Sequence, residues 1–284
     1  MTSPKHLAKR VCATAVEAAR RGGGERSVVL CYHSIHPERP FRSLTPEAFR
    51  EHLAWLVENT DVVRLDELRR ERANGRPRVA ITFDDGYEDN WTHAFPLLEE
   101  RRLPATFFVT VGLLDRDPAV VDRFASTLRR CPRDDVVPMG WEQVRELRDA
   151  GHEIGGHTYS HPNLARLGEE DVRRELSSSK QILEERLEAP VVSVAYPFGK
   201  PRRHVSAATV EAAGEAGYER GVAVITRAVR ASDSELSLPR LTVAGDDIAT
   251  LRQKVTGAWD FMGWWQERAP LWAVKAVRPG DAGF

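Results

Sequence analysis

The chain has 284 residues, of which 42% are hydrophobic and 29% are charged. A chain of this length buries about three quarters of its unfolded surface when it folds, so it needs no metal ion to stabilise the fold. A metal site in it is therefore expected to serve catalysis. The formal net charge of −1 gives no basic excess to neutralise phosphates, which excludes nucleic acid as an expected partner. The cysteines, Cys12, Cys31 and Cys131, are odd in number and scattered, so they predict no disulfide framework and favour a reducing compartment.

The first 26 residues are predicted to form a tail or an amphipathic helix rather than an export signal. Basic residues lie near the start, but Glu17, Arg20 and Arg21 interrupt the apolar stretch that a secretory signal needs. Further along, no run approaches the ~18 apolar residues of a membrane-spanning helix. These features predict a cytoplasmic protein without a transmembrane segment.

Apolar runs then alternate with amphipathic stretches. A helix is predicted to start at Thr45 and Pro46, because a hydroxyl residue caps free N–H groups and proline fits the first turn. Strands are predicted at 27–31, 61–64, 78–83, 105–111, 152–155, 191–195, 218–224 and 238–243. Further helical patterns lie at 66–74, 90–102, 141–150, 169–188 and 204–216.

This alternation of strands and helices predicts an α/β fold in which parallel strands are joined by helical crossovers. An open doubly wound sheet and a closed barrel share the pattern. Seven or eight strands in one domain of ~250 residues, without a linker, favour the barrel.

The apolar run 79–83 ends at two acidic residues, Asp84 and Asp85, followed by Gly86. Neighbouring side chains of a strand point to opposite faces, but the glycine permits a turn that could bring both carboxylates to the C-terminal mouth of the sheet. Two adjacent carboxylates repel each other, so one takes up a proton unless a cation lies beside them. Taken alone, the segment is better explained as a polar loop with a helix cap.

A second short strand runs into a histidine-containing loop at 157–162. His157 and His161 are four residues apart, and one turn of helix would place both imidazoles on the same side. The spacing suits two nitrogen ligands of one ion such as Zn²⁺, although such a pair alone is more often a surface or core feature. Together with the acidic pair, it predicts a two-histidine, one-carboxylate metal site with a position left for water.

These segments together resemble the polysaccharide deacetylase family, the NodB-homology domains of carbohydrate esterase family four. Residues 82–86 (Thr-Phe-Asp-Asp-Gly) resemble its first motif, residues 157–162 (His-Thr-Tyr-Ser-His-Pro) its second, and residues 196–199 (Tyr-Pro-Phe-Gly) its third. Residues 31–34 are similar to a Tyr-His segment near the start of such chains, and the whole resemblance covers 28–243. It implies a distorted (β/α) barrel with about seven parallel strands.

The resemblance also implies a role for each matching residue. Asp85, His157 and His161 would hold a divalent ion, Zn²⁺ first, with other divalent transition metals as alternatives. Asp84 would be the general base, and the backbone N–H of Phe198 would stabilise the oxyanion. A bound divalent ion brings the pKa of water toward ~7, and loss of an oxyanion donor typically lowers the rate ~10²–10³-fold. Together the metal ligands, the base and the oxyanion donor suit hydrolysis of an acetyl group.

Within the third motif, Tyr196 and Pro197 are expected to contact the substrate. Many family members carry an arginine two residues before the motif's proline, where this chain has Ala195. Arg240 is predicted either to brace Asp84 or to bind substrate, with a surface ion pair as the alternative.

The chain also lacks the late histidine with which family members protonate the departing amine, since no histidine follows His204. Amide hydrolysis needs a proton on nitrogen. The candidates for the acid are His33, at the end of the first strand, and Asp84 returning its captured proton, with His204 weaker.

Four of the seven tryptophans lie late in the chain, at Trp259, Trp264, Trp265 and Trp272. Closing helices packed on the barrel are favoured over a sugar-stacking platform or a peripheral membrane contact.

The sequence thus predicts one barrel at 27–245, between the tail at 1–26 and a closing segment at 246–284. The sequence predicts a metal-dependent hydrolase that removes N-acetyl groups from an amino sugar or glycan. This N-acetylated sugar or glycan substrate is also the expected binding partner. The alternatives are a catalytically impaired carbohydrate-binding barrel and an O-acetyl carbohydrate esterase. In the cytoplasm, the substrate would be a soluble or lipid-linked precursor rather than a polymer.

Overall fold

Parallel strands close into a barrel at the centre of the structure, a computed structural model that describes residues 26–38, 43–70, 75–127 and 136–268. The strands are β1 (Ser27–Tyr32), β2 (Ser34–Ile35), β3 (Ser43–Leu44), β4 (Asp61–Val62), β5 (Arg78–Phe83), β6 (Ala105–Val109), β7 (Glu153–Gly156), β8 (Ser193–Ala195), β9 (Arg220–Val224) and β10 (Leu238–Thr242). The helices are α1 (Pro46–Asn59), α2 (Phe95–Arg101), α3 (Val111–Leu114), α4 (Pro118–Thr127), α5 (Trp141–Asp149), α6 (Glu169–Leu187), α7 (Ala207–Glu215), α8 (Ile248–Thr256) and α9 (Asp260–Arg268).

Seven strands form the ring, in the order β1, β10, β9, β8, β7, β6 and β5, and β5 pairs back onto β1. All of these pairings are parallel. The short β4 pairs with the first two residues of β5, and β2 and β3 form a separate two-stranded sheet. The predicted barrel of about seven parallel strands is confirmed, and the open sheet is excluded.

Most predicted elements lie within a few residues of the observed ones, and the start of α1 follows the prediction closely. The Thr45 side chain accepts a hydrogen bond from the backbone N–H of Ala48, and Pro46 occupies the first turn. The helix predicted at 66–74 is wrong at its start, where only a 3₁₀ turn, Leu65–Glu67, forms; residues 71–74 lie outside the described part of the chain. The helix α4 was not predicted.

The crossover from β9 to β10, which lies wholly within the described residues, contains a 3₁₀ turn, Glu235–Ser237, and no α-helix. After β9 the chain returns through bends and turns to the opposite end of the barrel, where Val229 bridges antiparallel to Ser27 at the start of β1. The helix α9 packs on this return segment, where the backbone N–H of Gly263 donates to the carbonyl of Thr226 at 3.1 Å.

A small apolar cluster fills the barrel, because alternate residues of each strand point inward. Its strand members are Val29, Ala80, Phe108, Ala195, Val222 and Leu238, and Val63, Leu65 and Leu68 close it from the N-terminal end. Phe108 is the bulkiest member, and its ring packs against Gly155, its partner on the neighbouring strand β7. A larger layer of buried residues separates the outer face of the barrel from the helices. This apolar cluster forms a floor beneath the polar groups that gather at the C-terminal ends of the strands.

The late tryptophans divide into two environments. Trp259 is 5% exposed, in agreement with packing, whereas Trp264 and Trp265 are 54% and 51% exposed. Trp272 lies outside the described residues, as does the predicted tail except for Arg26. Nothing in the described part supports a membrane contact through the tryptophans, and no helix there is long and apolar enough to span a bilayer.

Replacing Gly155 with alanine should destabilise the barrel, because a Cβ there would collide with the Phe108 ring and lie 3.0 Å from the carbonyl oxygen of Ser193. We expect a loss of about 1–3 kcal/mol in the free energy of unfolding, measured in urea. Gly214→Ala is the control. This glycine lies exposed in α7, and an added Cβ meets only the flexible tip of Leu236. Equal losses in both variants would contradict the packing described for the lumen.

Candidate active site

The residues predicted to carry the chemistry gather at the C-terminal mouth of the barrel. His33 follows β1, Asp84 and Asp85 follow β5, His157 follows β7, and Phe198 lies just beyond β8. Parallel strands deliver all of their C-terminal ends to one face, which is where (β/α) barrels carry their sites.

A left-handed turn explains how two successive aspartates reach the same mouth. Asp85 has a φ of 74° and Gly86 a φ of 84°, so the chain reverses directly after Asp84. The left-handed conformation costs an ordinary residue roughly 1–2 kcal/mol, whereas glycine adopts it freely. Both carboxylates are buried, and they face different partners.

Asp85 faces the two histidines. Its Oδ1 lies 3.4 Å from Nε2 of His157 and 3.4 Å from Nε2 of His161, and the three side chains form a buried group suited to a metal ion. Among the described residues, no donor reaches Asp85 Oδ1 in hydrogen-bond geometry. Burial alone would raise the pKa of Asp85, but the facing His157 and His161 outweigh it and hold this pKa well below its ordinary value.

The histidine pair comes together on a loop rather than on the turn of helix that the spacing suggested. Thr158 and His161 both have left-handed φ angles, of 65° and 53°. The Nδ1 atom of His157 lies 2.7 Å from the carbonyl oxygen of Ala195, so Nδ1 donates to this carbonyl and Nε2 is the nitrogen that faces Asp85. A protein histidine that binds a metal is oriented in this way.

Asp84 faces Arg240 in a buried ion pair. Arg240 Nη1 and Nη2 lie 2.6 and 2.5 Å from the two carboxylate oxygens, and the two side chains are only 1% and 4% exposed. Burial would raise the pKa of Asp84, but the charge of Arg240, with that of His157 and the Arg240 hydrogen bonds, holds it below its ordinary value. Of the sequence alternatives for Arg240, the geometry favours the brace, since an arginine buried in this way is neither a surface ion pair nor a substrate contact.

His33 and Cys31 also lie close to Asp84. Cys31 Sγ is 3.5 Å from Asp84 Oδ2 and 3.9 Å from His33 Nδ1. Cys31 was not predicted as a site residue. Its position two residues before His33 could have indicated it, because residues two apart in an extended chain face the same side. A cation is disfavoured between Cys31 and Asp84, because Arg240 already neutralises this carboxylate.

The side chain of Tyr196, in the third motif, does not face the site. This tyrosine is fully buried and donates its hydroxyl to the carbonyl of Leu236 at 2.8 Å, so the predicted substrate contact is wrong for its side chain. Pro197 is also buried. Phe198 has a left-handed φ of 60°, and its ring centroid lies 4.9 Å from that of His161.

His204 packs on Phe198 at the edge of the site, with ring centroids 5.1 Å apart. Burial and the charges of Lys200 and Arg203 lower the pKa of His204 to about 3. The imidazole is therefore neutral near pH 7, which removes His204 from the candidates for a proton donor.

This combination of a closed parallel barrel, an arginine-paired aspartate and a two-histidine, one-aspartate cluster defines a hydrolase barrel with a candidate metal centre. The chain belongs to the polysaccharide deacetylase family, whose model, described as polysaccharide deacetylase, matches residues 71–221. The resemblance of the three sequence motifs is thereby confirmed.

Relatives of known name agree with this membership. The protein YxkH of Bacillus subtilis strain 168 is 25% identical over 221 residues, which cover 76% of this chain and 71% of that protein. The poly-beta-1,6-N-acetyl-D-glucosamine N-deacetylase of Escherichia coli K12 is 30% identical over 142 residues, which cover 47% of this chain but only 20% of the enzyme. The solved Streptococcus pyogenes deacetylase PplD in complex with acetate shares the fold, with a TM-score of 0.68 and 22% identity over 82% of this chain and 99% of that chain.

Removing the arginine of the buried pair should cost far more stability than removing an exposed one. Arg240→Met leaves the Asp84 carboxylate buried without its counter-charge, and we expect a loss of about 3–5 kcal/mol in the free energy of unfolding. Arg174→Met is the control, because Arg174 and Asp171 form a 2.6 Å pair with both side chains exposed, for which about 1 kcal/mol or less is expected. Urea denaturation compares the two, and similar losses would contradict a buried brace.

Proposed function

We propose that this protein is a metal-dependent hydrolase that removes N-acetyl groups from an amino sugar or glycan. The observation that carries the proposal is the division of the two adjacent carboxylates. Asp85 joins His157 and His161, whereas Asp84 is paired with Arg240 and kept ionised beside them. One carboxylate is thus placed to bind a metal and its neighbour to accept a proton.

The residues at the mouth fit a divalent ion. The Asp85 oxygen that accepts no hydrogen bond within the described chain lies equally far from two imidazole nitrogens, and an oxygen and two nitrogens are the donors that Zn²⁺ takes in hydrolytic sites. A bound divalent ion would supply Lewis acidity and make water acidic near neutral pH. We propose Zn²⁺ first, with other divalent transition metals as alternatives.

Asp84 is proposed as the general base. Because Arg240 keeps it ionised, Asp84 can take the proton from the attacking water and later release it. The carbonyl oxygen of the acetyl group gains negative charge during the attack, and the backbone N–H of Phe198 is proposed as its donor. The left-handed turn at Phe198 and Gly199 is the local feature that sets the direction of this N–H group.

His33 is proposed as the acid that protonates the departing nitrogen. It is buried at the end of β1 and shares a cluster with Asp84 and Cys31, so it lies beside the proposed base. Asp84 can in principle return its own captured proton, and that remains the alternative acid. A donor placed at this point favours amide hydrolysis over the catalytically impaired binding barrel.

The substrate class is proposed from the family and from the named activity of a relative. The Escherichia coli enzyme is an N-deacetylase of poly-beta-1,6-N-acetyl-D-glucosamine, which supports an N-acetylated amino sugar or glycan here. The cytoplasmic location expected from the sequence stays a prediction, and with it the preference for soluble or lipid-linked precursors. Cell fractionation checks the location.

Replacing the two aspartates should have different effects on bound metal and on deacetylase activity. Asp85→Ala should lose both bound metal and deacetylase activity, whereas Asp84→Asn should keep its metal and lose about 10²–10⁴ in rate. Metal content is measured on the purified protein, and activity as acetate plus free amine from N-acetylglucosamine oligomers and from a UDP-linked N-acetyl sugar. Unchanged metal and rate in Asp85→Ala would overturn the proposed function, and binding of sugar without acetate release from the wild type would favour the carbohydrate-binding alternative.

Replacing the proposed acid should separate amide from ester hydrolysis. In His33→Gln we expect a loss of about 10²–10⁴ in N-deacetylation, but a much smaller loss on an acetyl ester, because an alkoxide leaves without the proton that an amine requires. His36→Gln is the control, since His36 is the next histidine in the chain and packs on His93 with centroids 5.9 Å apart. Equal losses on amide and ester would reject His33 as the acid, and acetate from the ester alone in the wild type would identify an esterase.

A further inference from the structure

The loop between the two histidines is held in a conformation that its own sequence does not favour. Thr158 and His161 adopt left-handed φ angles of 65° and 53°, and neither is a glycine. Such residues cost roughly 1–2 kcal/mol each, so the surrounding structure must hold the loop if His161 is to face Asp85.

One side of this loop is held by the start of α3. The backbone N–H of Gly112 donates to the carbonyl of Tyr159 at 2.8 Å, and that of Val111 donates to the carbonyl of Thr158 at 3.3 Å. Gly112 is required for this approach, because a Cβ there would lie 2.9 Å from the Tyr159 oxygen. These bonds satisfy the carbonyl groups of the loop but leave its N–H groups to another partner.

The other side is held by a single carboxylate, that of Glu175 in α6. Its Oε2 accepts from the backbone N–H groups of Tyr159 and Ser160 at 3.0 and 2.9 Å, and its Oε1 accepts from the Ser160 hydroxyl at 2.5 Å. Arg123 adds a hydrogen bond from Nη1 to the same hydroxyl oxygen at 3.0 Å. Hydrogen bonds to an ionised acceptor are about twice as strong as neutral ones.

We propose that Glu175 is the positioning residue of the metal centre. It fixes the two residues at the middle of the loop and thereby sets the separation of His157 and His161 in front of Asp85. The inference rests on the proposed metal-dependent function, because it concerns the residues that would bind the ion. The hydrogen bonds of Glu175 go to Tyr159 and Ser160 and not to the proposed metal ligands, so it acts through the residues between the histidines.

Replacing Glu175 should weaken metal binding by an amount that depends on how much of the loop the new side chain can still hold. Glutamine at this position keeps one acceptor oxygen and can hold part of the loop, whereas alanine holds none of it. Partners that orient metal ligands typically contribute 10–100-fold in affinity, so we expect Glu175→Gln to bind Zn²⁺ about 10-fold and Glu175→Ala about 100-fold more weakly than the wild type. Glu185→Gln is the matched control, because Glu185 lies exposed on the same helix and contacts Gln181.

The experiment measures Zn²⁺ affinity by competition with a chelator and, on the metal-free proteins, amide exchange at Tyr159 and Ser160. We expect faster exchange at these two amides in both Glu175 variants, with the wild-type rate in the control. If Glu175→Ala does not fold, Glu175→Gln and Ser160→Ala, which removes one of the three bonds, provide the same ordering on folded protein.

The outcomes separate this inference from the proposed function. In one outcome, Asp85→Ala abolishes tight Zn²⁺ binding while Glu175→Ala keeps the wild-type affinity. That result would overturn the role of Glu175 alone. Binding that Asp85→Ala does not weaken would overturn the metal centre and the role of Glu175 together. A loss of thermal stability in Glu175→Gln without a loss of affinity would show a merely structural residue, and it too would overturn the inference.

Discussion

The site depends on keeping two adjacent carboxylates ionised inside a protein. Burial pushes the pKa of each carboxyl group up, and mutual repulsion would add to this effect. The structure counters it with separate partners, since Arg240 pairs with Asp84 and two imidazoles face Asp85. Without Arg240, one of the two groups would take up a proton, and the proposed division into a metal ligand and a proton acceptor would be lost.

The barrel provides this compensation from an unexpected strand. Family members that carry an arginine before the third motif brace the aspartate from the strand equivalent to β8, where this chain has Ala195. Here the arginine stands on β10, which closure of the ring places beside β1. Its guanidinium also lies 5.8 Å from the centre of the Phe108 ring. The apolar floor of the lumen therefore packs against the ion pair from below. Asp84 receives the positive charge of an arginine from β10 instead of from the strand equivalent to β8.

Sequence reasoning reached the site through motifs at strand ends, because parallel strands deliver their C-terminal residues to one face whatever their exact register. It could not decide what depends on register and side-chain direction. The burial of Tyr196 and the inward position of Arg240 follow from which face of a strand each residue occupies. The histidines were expected together on a helical turn, but a loop with left-handed residues joins them. Glu175 lies on an ordinary-looking amphipathic helix, so no local signal separates it from the exposed acids around it.

The turn at Asp85 also explains why the two aspartates have different partners. With its φ of 74°, Asp85 is directed toward the histidines, whereas Asp84 continues the inward alternation of β5 and meets Arg240 in the lumen. A cation beside Asp84 would have to displace a bidentate guanidinium that is itself almost completely buried, at a cost of several kcal/mol. The second group of candidate ligands, Cys31, His33 and Asp84, is therefore a poor cation site. The cost of displacing Arg240 thus disfavours a metal beside Asp84 and leaves this carboxylate available for its proposed role as proton acceptor.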